Sequence, residues 1–283
     1  MSLATDWIRY GASREHLAFA AWPSRAEKPL PSVVVIQEIW GVDAHIEDVA
    51  RRIAQAGYFA FAPDLFAREG DRPPELTRER IAEVQDLMNR LPPASSGAMF
   101  RDPVAREAEL KNHPEDKRAR LSESMAKLFA GVGGGGMELP PHLPPLLAAT
   151  TALRGELTQT RGRKVAAVGF CMGGGLAALL ACHDRGLAAA AVFYGAAPPE
   201  GLIHGIPCPV VGFYGSLDKR ITSAVPSLEE AMRREGKSFE AHVYEGAAHA
   251  FFNDTRPSYH VDAARDAFVV LLELLQRTLA PKP

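Results

Sequence analysis

The sequence predicts an α/β fold, a mainly parallel twisted sheet with helices on both faces. Three observations carry this reading. Short runs of β-branched or small apolar residues recur at 33–36, 58–63, 164–168, 187–194, 208–214 and 239–244. Between several of them apolar residues return at helical spacing, as at Ile46, Val49, Ile53 and Ala54. The first run, Val33, Val34, Val35 and Ile36, is continuous rather than alternating, which marks a strand buried on both faces of a parallel sheet. Ligands of such sheets bind outside the carboxyl ends of the strands.

Composition narrows the possible functions. A chain of 283 residues with 47% hydrophobic and 23% charged residues has the make-up of an ordinary globular protein. A formal net charge of -2 gives no attraction to nucleic acid or to anionic membranes, so small metabolites are the expected partners. The first ten residues carry Asp6, Trp7 and Arg9 and lack an apolar stretch long enough for a signal sequence or a membrane span; a cytoplasmic location is expected. Cys171, Cys182 and Cys208 form an odd set without C-x-x-C spacing, which argues against a disulfide framework and against structural zinc. The histidines fall in neither an H-x-H nor an H-E-x-x-H pattern, so neither a metal nor another cofactor is expected.

In chain order, residues 15–22 read as an edge strand that ends at Pro23. A helix starts near Asp43 and stops at Gly57, and a further helix is expected over 75–91. From about 92 to 145 the pattern degrades into Pro pairs, a charged stretch and the glycines 133–136. This reads as an insertion of loops around one or two amphipathic helices at 110–129, either capping a site or forming a solvated excursion. Helices are expected again at 146–160, 223–235 and 257–279, and no linker interrupts the alternation, so residues 1–283 are expected to be one domain carrying that insertion.

The chemistry centres on Gly169-Phe170-Cys171-Met172-Gly173. An apolar strand ends at Gly169 and a small-residue helix begins after Cys171, giving the G-x-C-x-G form of a nucleophile elbow. A thiol there lies at a helix N-terminus, where free N–H groups favour negative charge on sulfur or on a developing oxyanion. Asp218 follows the 208–214 strand and His249 follows the 239–244 strand. Nucleophile, acid and base thus come in the order used by α/β-hydrolases. Read singly, Asp218 is as well explained by a helix cap, and His249 by a packed imidazole.

These motifs, with Gln37-Glu38-Ile39-Trp40-Gly41, the loop at 62–68 and His249-Ala250-Phe251, resemble the dienelactone hydrolase (carboxymethylenebutenolidase) family. The resemblance implies an α/β-hydrolase fold and a Cys171, His249 and Asp218 triad. It also implies that Glu38 holds the resting thiol and accepts its proton when substrate arrives. A carboxylate beside the thiol would in any case oppose the thiolate by like-charge repulsion. By position, the oxyanion donors are the backbone N–H groups of Ile39 and Met172. Trp40 and Phe170 are candidate pocket walls.

One departure bears on substrate. The family places an arginine for the substrate carboxylate four residues after the histidine, and here that residue is Asn253. Arg256, Arg78 and Arg80 are the alternative cations, Arg256 only if its loop folds back. The expected activity is cysteine-dependent hydrolysis of a lactone or activated ester through a thioester, by a monomer that needs no cofactor. A non-catalytic ligand-binding protein of the same fold and a redox-active thiol protein are the competing readings.

Overall fold

The computed structural model describes residues 2–130 and 140–280. Among these, eight strands form one sheet: β1 (Leu3–Tyr10), β2 (His16–Pro23), β3 (Ser32–Ile36), β4 (Phe59–Pro63), β5 (Val165–Phe170), β6 (Leu187–Phe193), β7 (Val210–Gly215) and β8 (Phe239–Tyr244). The helices are α1 (Ala44–Gln55), α2 (Arg78–Arg90), α3 (Pro93–Arg101), α4 (Pro103–Leu110), α5 (Glu115–Leu128), α6 (Leu143–Gly155), α7 (Met172–His183), α8 (Lys219–Thr222), α9 (Val225–Arg234) and α10 (Val261–Leu279). The chain gathers into two compact units, one of Met1–Leu65 with Leu139–Pro283 and one of Phe66–Glu138.

The first unit holds the whole sheet, in the order β1-β2-β4-β3-β5-β6-β7-β8. β1 and β2, and β2 and β4, pair antiparallel; from β4 onward every pairing is parallel. This is the expected α/β-hydrolase arrangement, with the nucleophile's strand β5 near the middle. The strand expected at the edge is internal, since β2 lies between β1 and β4. The edge is β1, whose exposed Thr5, Asp6, Trp7 and Arg9 break the apolar pattern. Charges on an outer strand discourage pairing with another chain, and they also hide the strand from a reading of hydrophobic period.

Local chemistry sets the helix ends. Asp43 caps α1 by accepting the Ile46 N–H at 3.1 Å, and Gly57, at φ +97°, ends it in the left-handed conformation that glycine adopts without strain. α6 and α10 run over 143–155 and 261–279, displaced by a few residues from the expected 146–160 and 257–279. Beneath the carboxyl ends of the strands lies an aromatic cluster. Phe193 packs on Phe213, Phe170 and Phe252 with ring centroids 4.3, 4.8 and 4.8 Å apart, and all four rings are buried. Each buried ring contributes roughly 1.5–3 kcal/mol of transfer free energy. Because Phe170 and Phe193 immediately precede Cys171 and Tyr194, this packing fixes the floor of the site.

The second unit is helical, with α2 and α5 joined by Arg80. Its guanidinium donates to the Arg120 carbonyl at 2.5 Å, to Glu123 Oε2 at 3.0 Å and to Ser124 Oγ at 3.1 Å. Helices occupy 93–101 and 103–110, where loops were expected, while the glycine run 133–136 lies outside the described residues.

Candidate active site

Cys171 sits between β5 and α7 with φ 54° and ψ -114°, a conformation that costs a non-glycine residue about 1–3 kcal/mol. The glycines around it allow the turn to close. A Cβ on Gly169 would lie 1.8 Å from the Gly173 carbonyl oxygen, and one on Gly173 would lie 2.3 Å from that of Ile36. The second contact brings the loop after β3, with Glu38 and Ile39, against the first turn of α7. Met172 is the first residue of α7, so its N–H is one of the four without an intrahelical partner.

The loops after β7 and β8 are tied to each other. Leu217 donates its N–H to the Ala247 carbonyl at 3.0 Å, and Gly246 donates to Ser216 Oγ at 2.9 Å. Asp218 precedes α8, yet its side chain makes no cap bond; its Oδ2 lies 2.5 Å from His249 Nδ1. The structure therefore brings Cys171, His249 and Asp218 together from the ends of three strands. Burial pushes the His249 imidazole down, but the charge of Cys171 as thiolate and the hydrogen bond to Asp218 outweigh it and raise the pKa to about 10.

Glu38 is buried on the loop after β3. The adjacent Gln37 fixes that loop by accepting the Leu65 N–H at 3.0 Å. Glu38 Oε2 accepts from Asn253 Nδ2 at 2.9 Å, while Oε1 is buried without a hydrogen-bond partner among the described residues. Asn253 is itself fully buried and turned onto Glu38.

Arg256 follows on the same loop, which does fold back: Arg256 N–H donates to the Asn253 carbonyl at 3.1 Å and His260 N–H to that of Phe251 at 2.9 Å. Its guanidinium lies 5.2 Å from the centre of the buried Trp40 ring, with Nη1 buried and unpartnered among the described residues. Burial lowers its pKa, and the charges of Glu38 and Cys171 oppose that shift. Phe170, by contrast, belongs to the core. Arg78 and Arg80 lie in the helical unit, Arg78 exposed on the first turn of α2 and Arg80 bonded to α5.

Sequence reasoning passed over Tyr194. It follows β6 with φ 40°, its ring centroid is 5.1 Å from that of His249, and its buried hydroxyl interacts with the Glu38 carboxylate. Burial, then the charges of Glu38 and Cys171, push its pKa well above the usual value. The available signal was positional, since Tyr194 is the first residue past a strand whose neighbours carry Cys171 and Asp218. Among the described residues no group of three or more His, Cys, Asp or Glu is placed to hold a metal ion, and no helix is long and apolar enough to cross a membrane.

Known proteins agree with this architecture. The pattern of the dienelactone hydrolase family matches residues 17–122 and 143–279. A Saccharolobus solfataricus protein provisionally named carboxymethylenebutenolidase is 33% identical over 263 residues, covering 92% of this chain and 93% of its own. An Escherichia coli K12 protein of the same provisional name is 29% identical over 267 residues, covering 90% and 80%. Among solved structures, one from Klebsiella pneumoniae, provisionally described as a dienelactone hydrolase, superposes with a TM-score of 0.69 at 26% identity, covering 98% of this chain and all of the other. With the family pattern matching most of the chain and the elbow, Asp218 and His249 gathered at the carboxyl ends of the strands, the chain is an α/β-hydrolase-fold member of the dienelactone hydrolase family.

Proposed function

We propose that the chain is a cysteine hydrolase of small lactones or activated esters. The observation that supports this best is His249, held through Nδ1 by Asp218 and set beside Cys171. The thiol proton passes to Glu38 Oε1, and the sulfur attacks the substrate carbonyl carbon. The resulting oxyanion is received by the N–H groups of Ile39 and Met172. Collapse breaks the acyl C–O bond, the leaving oxygen takes the proton of the His249 imidazolium, and a thioester remains on Cys171. Neutral His249 then draws a proton from water. The hydroxide attacks the thioester, the C–S bond breaks, and the thiolate recovers its proton from Glu38 as the product acid ionises.

Arg256 is the cation that this reading assigns to an anionic substrate group. A guanidinium lying over the Trp40 ring, with a buried Nη1 that has no partner among the described residues, fits a carboxylate better than Asn253, whose amide is engaged with Glu38. The thiols of Cys182 and Cys208 are pushed up by burial to about 11 and about 12, which leaves them poor nucleophiles and gives the redox reading no support.

The test is hydrolysis of a dienelactone and of a neutral aryl ester by the wild type and Cys171→Ala. Cys171-dependent turnover of both is expected, with an initial burst of leaving group if deacylation is slow. Turnover that survives Cys171→Ala would overturn the mechanism.

A further inference from the structure

The residue four positions after His249 faces the protein rather than solvent. Asn253 is fully buried and lies 215 positions from Glu38 in sequence, yet its Nδ2 donates to Glu38 Oε2 at 2.9 Å. The orientation of the amide is fixed from its other end. Asn253 Oδ1 accepts the backbone N–H of Thr255 at 3.0 Å and the Thr255 hydroxyl at 2.7 Å. A backbone N–H can only donate, so the amide oxygen must face Thr255 and the NH₂ group must face Glu38. The Tyr194 hydroxyl and the Arg256 guanidinium each lie within electrostatic reach of both Glu38 and Cys171. Asn253 holds Oε2 at hydrogen-bond distance, the Tyr194 hydroxyl interacts with the same carboxylate, and Oε1 has no protein hydrogen bond of good geometry among the described residues.

We propose that Asn253 is a positioning residue which, locked by Thr255, anchors one oxygen of Glu38 and leaves the other to receive the Cys171 proton. The inference rests on the proton-accepting role proposed above for Glu38. An uncharged donor suits that role, because it orients the carboxylate without placing a full positive charge in hydrogen-bond contact with it. A Glu38 freed from the anchor would sample several rotamers, and fewer of them would present an oxygen to the thiol.

The experiment is a double-mutant cycle read by kcat on a neutral aryl ester and by the pH dependence of Cys171 alkylation with iodoacetamide. The wild type, N253A, E38Q and the double variant are compared, with T255V as a milder lesion that leaves Asn253 in place. Loss of a hydrogen bond to a charged group predicts that N253A lowers kcat about 10- to 100-fold and displaces the alkylation profile. In the E38Q background the same substitution should change kcat less than about twofold, since nothing remains to be positioned. T255V should move both readouts in the same direction by a smaller factor. An equal loss from N253A in both backgrounds would mean a general packing role and would overturn the proposal, as would an unchanged kcat. If N253A does not fold, T255V without effect on kcat or on the profile overturns it instead. E38Q with wild-type kcat and alkylation would remove the role of Glu38 itself, a different failure that is recognised before the Asn253 variants are compared.

Discussion

Asp218 Oδ2 lies 2.5 Å from His249 Nδ1, and the same carboxylate leaves the helix that follows it uncapped. An aspartate just before a helix ordinarily accepts from the N–H groups of the first turn. Here that interaction is given up for the imidazole. Nδ1–H is thereby committed to Asp218, which leaves Nε2 as the nitrogen that the proposed mechanism uses to exchange protons.

Asp218→Asn keeps the shape but offers an amide in place of an acceptor carboxylate. It is expected to lower kcat by about 10³- to 10⁴-fold, the scale seen when a triad histidine loses its orienting carboxylate. The His249 pKa should fall below its present value of about 10, because the charge of Asp218 is removed and its hydrogen bond weakened, while the contributions of Cys171 remain. A kinetic comparison and an NMR titration of the imidazole would check both. Retained kcat together with an unshifted imidazole would contradict the assignment.

The raised pKa of His249 also predicts how stability depends on pH. With Cys171 ionised, the folded value of about 10 lies above the ordinary value of 6.5, so the folded state binds the proton more tightly than the unfolded chain. The stabilisation is fully present below pH about 6.5, declines as pH rises, and is gone above pH about 10. In urea titrations the wild type should therefore lose more stability than His249→Gln between pH 6.5 and 10. Parallel curves for the two proteins would show that the imidazole is not protonated in the folded state.

Cys171 is held at φ 54°, and the strain resides in its backbone rather than in its thiol. Cys171→Ala keeps a Cβ in that conformation, whereas Cys171→Gly relieves it. Both variants should be inactive, but the glycine variant is expected to be more stable than the alanine one by about 1 kcal/mol, even though glycine costs more conformational entropy on folding. Chemical denaturation of the two variants measures the difference. Equal stabilities would mean that the elbow relaxes when the sulfur is removed.

The parts legible in the sequence were those set by local rules. β3 and β5 announce themselves as continuous apolar runs, buried on both faces of the sheet. The grouping of Cys171, Asp218 and His249 was readable because the turn at Cys171 needs glycines that a short motif records, and because Asp218 and His249 each come directly after a strand. β1 was missed because its outward residues are polar and charged, and the helix at 93–101 because a Pro pair and small residues resemble a loop. The approach of Arg256 to Trp40 and the bond from Asn253 to Glu38 depend on a loop path fixed by backbone bonds at Asn253, Phe251 and Arg256. No residue pattern encodes such a path. Tyr194 carries no motif, and only the strand order places it beside His249.

Arg256 gives the sharpest prediction about substrate. Its guanidinium is largely withdrawn from water and lies over the Trp40 ring, and the nearby charges of Glu38 and Cys171 help to keep it protonated. A substrate carboxylate meeting the unpaired Nη1 would satisfy a donor that otherwise lacks a partner among the described residues, and such a charge-assisted bond is worth about 1.5–3 kcal/mol. Arg256→Ala is therefore expected to raise KM about 10- to 100-fold for a lactone bearing a carboxylate, while changing KM for an uncharged aryl ester by less than about threefold. Arg256→Lys should recover little, because a single ammonium does not reproduce the forked donor geometry of the guanidinium. Equal effects on both substrates would assign Arg256 to holding the loop that carries Asn253. A loss confined to the anionic substrate would place the carboxylate beside Trp40.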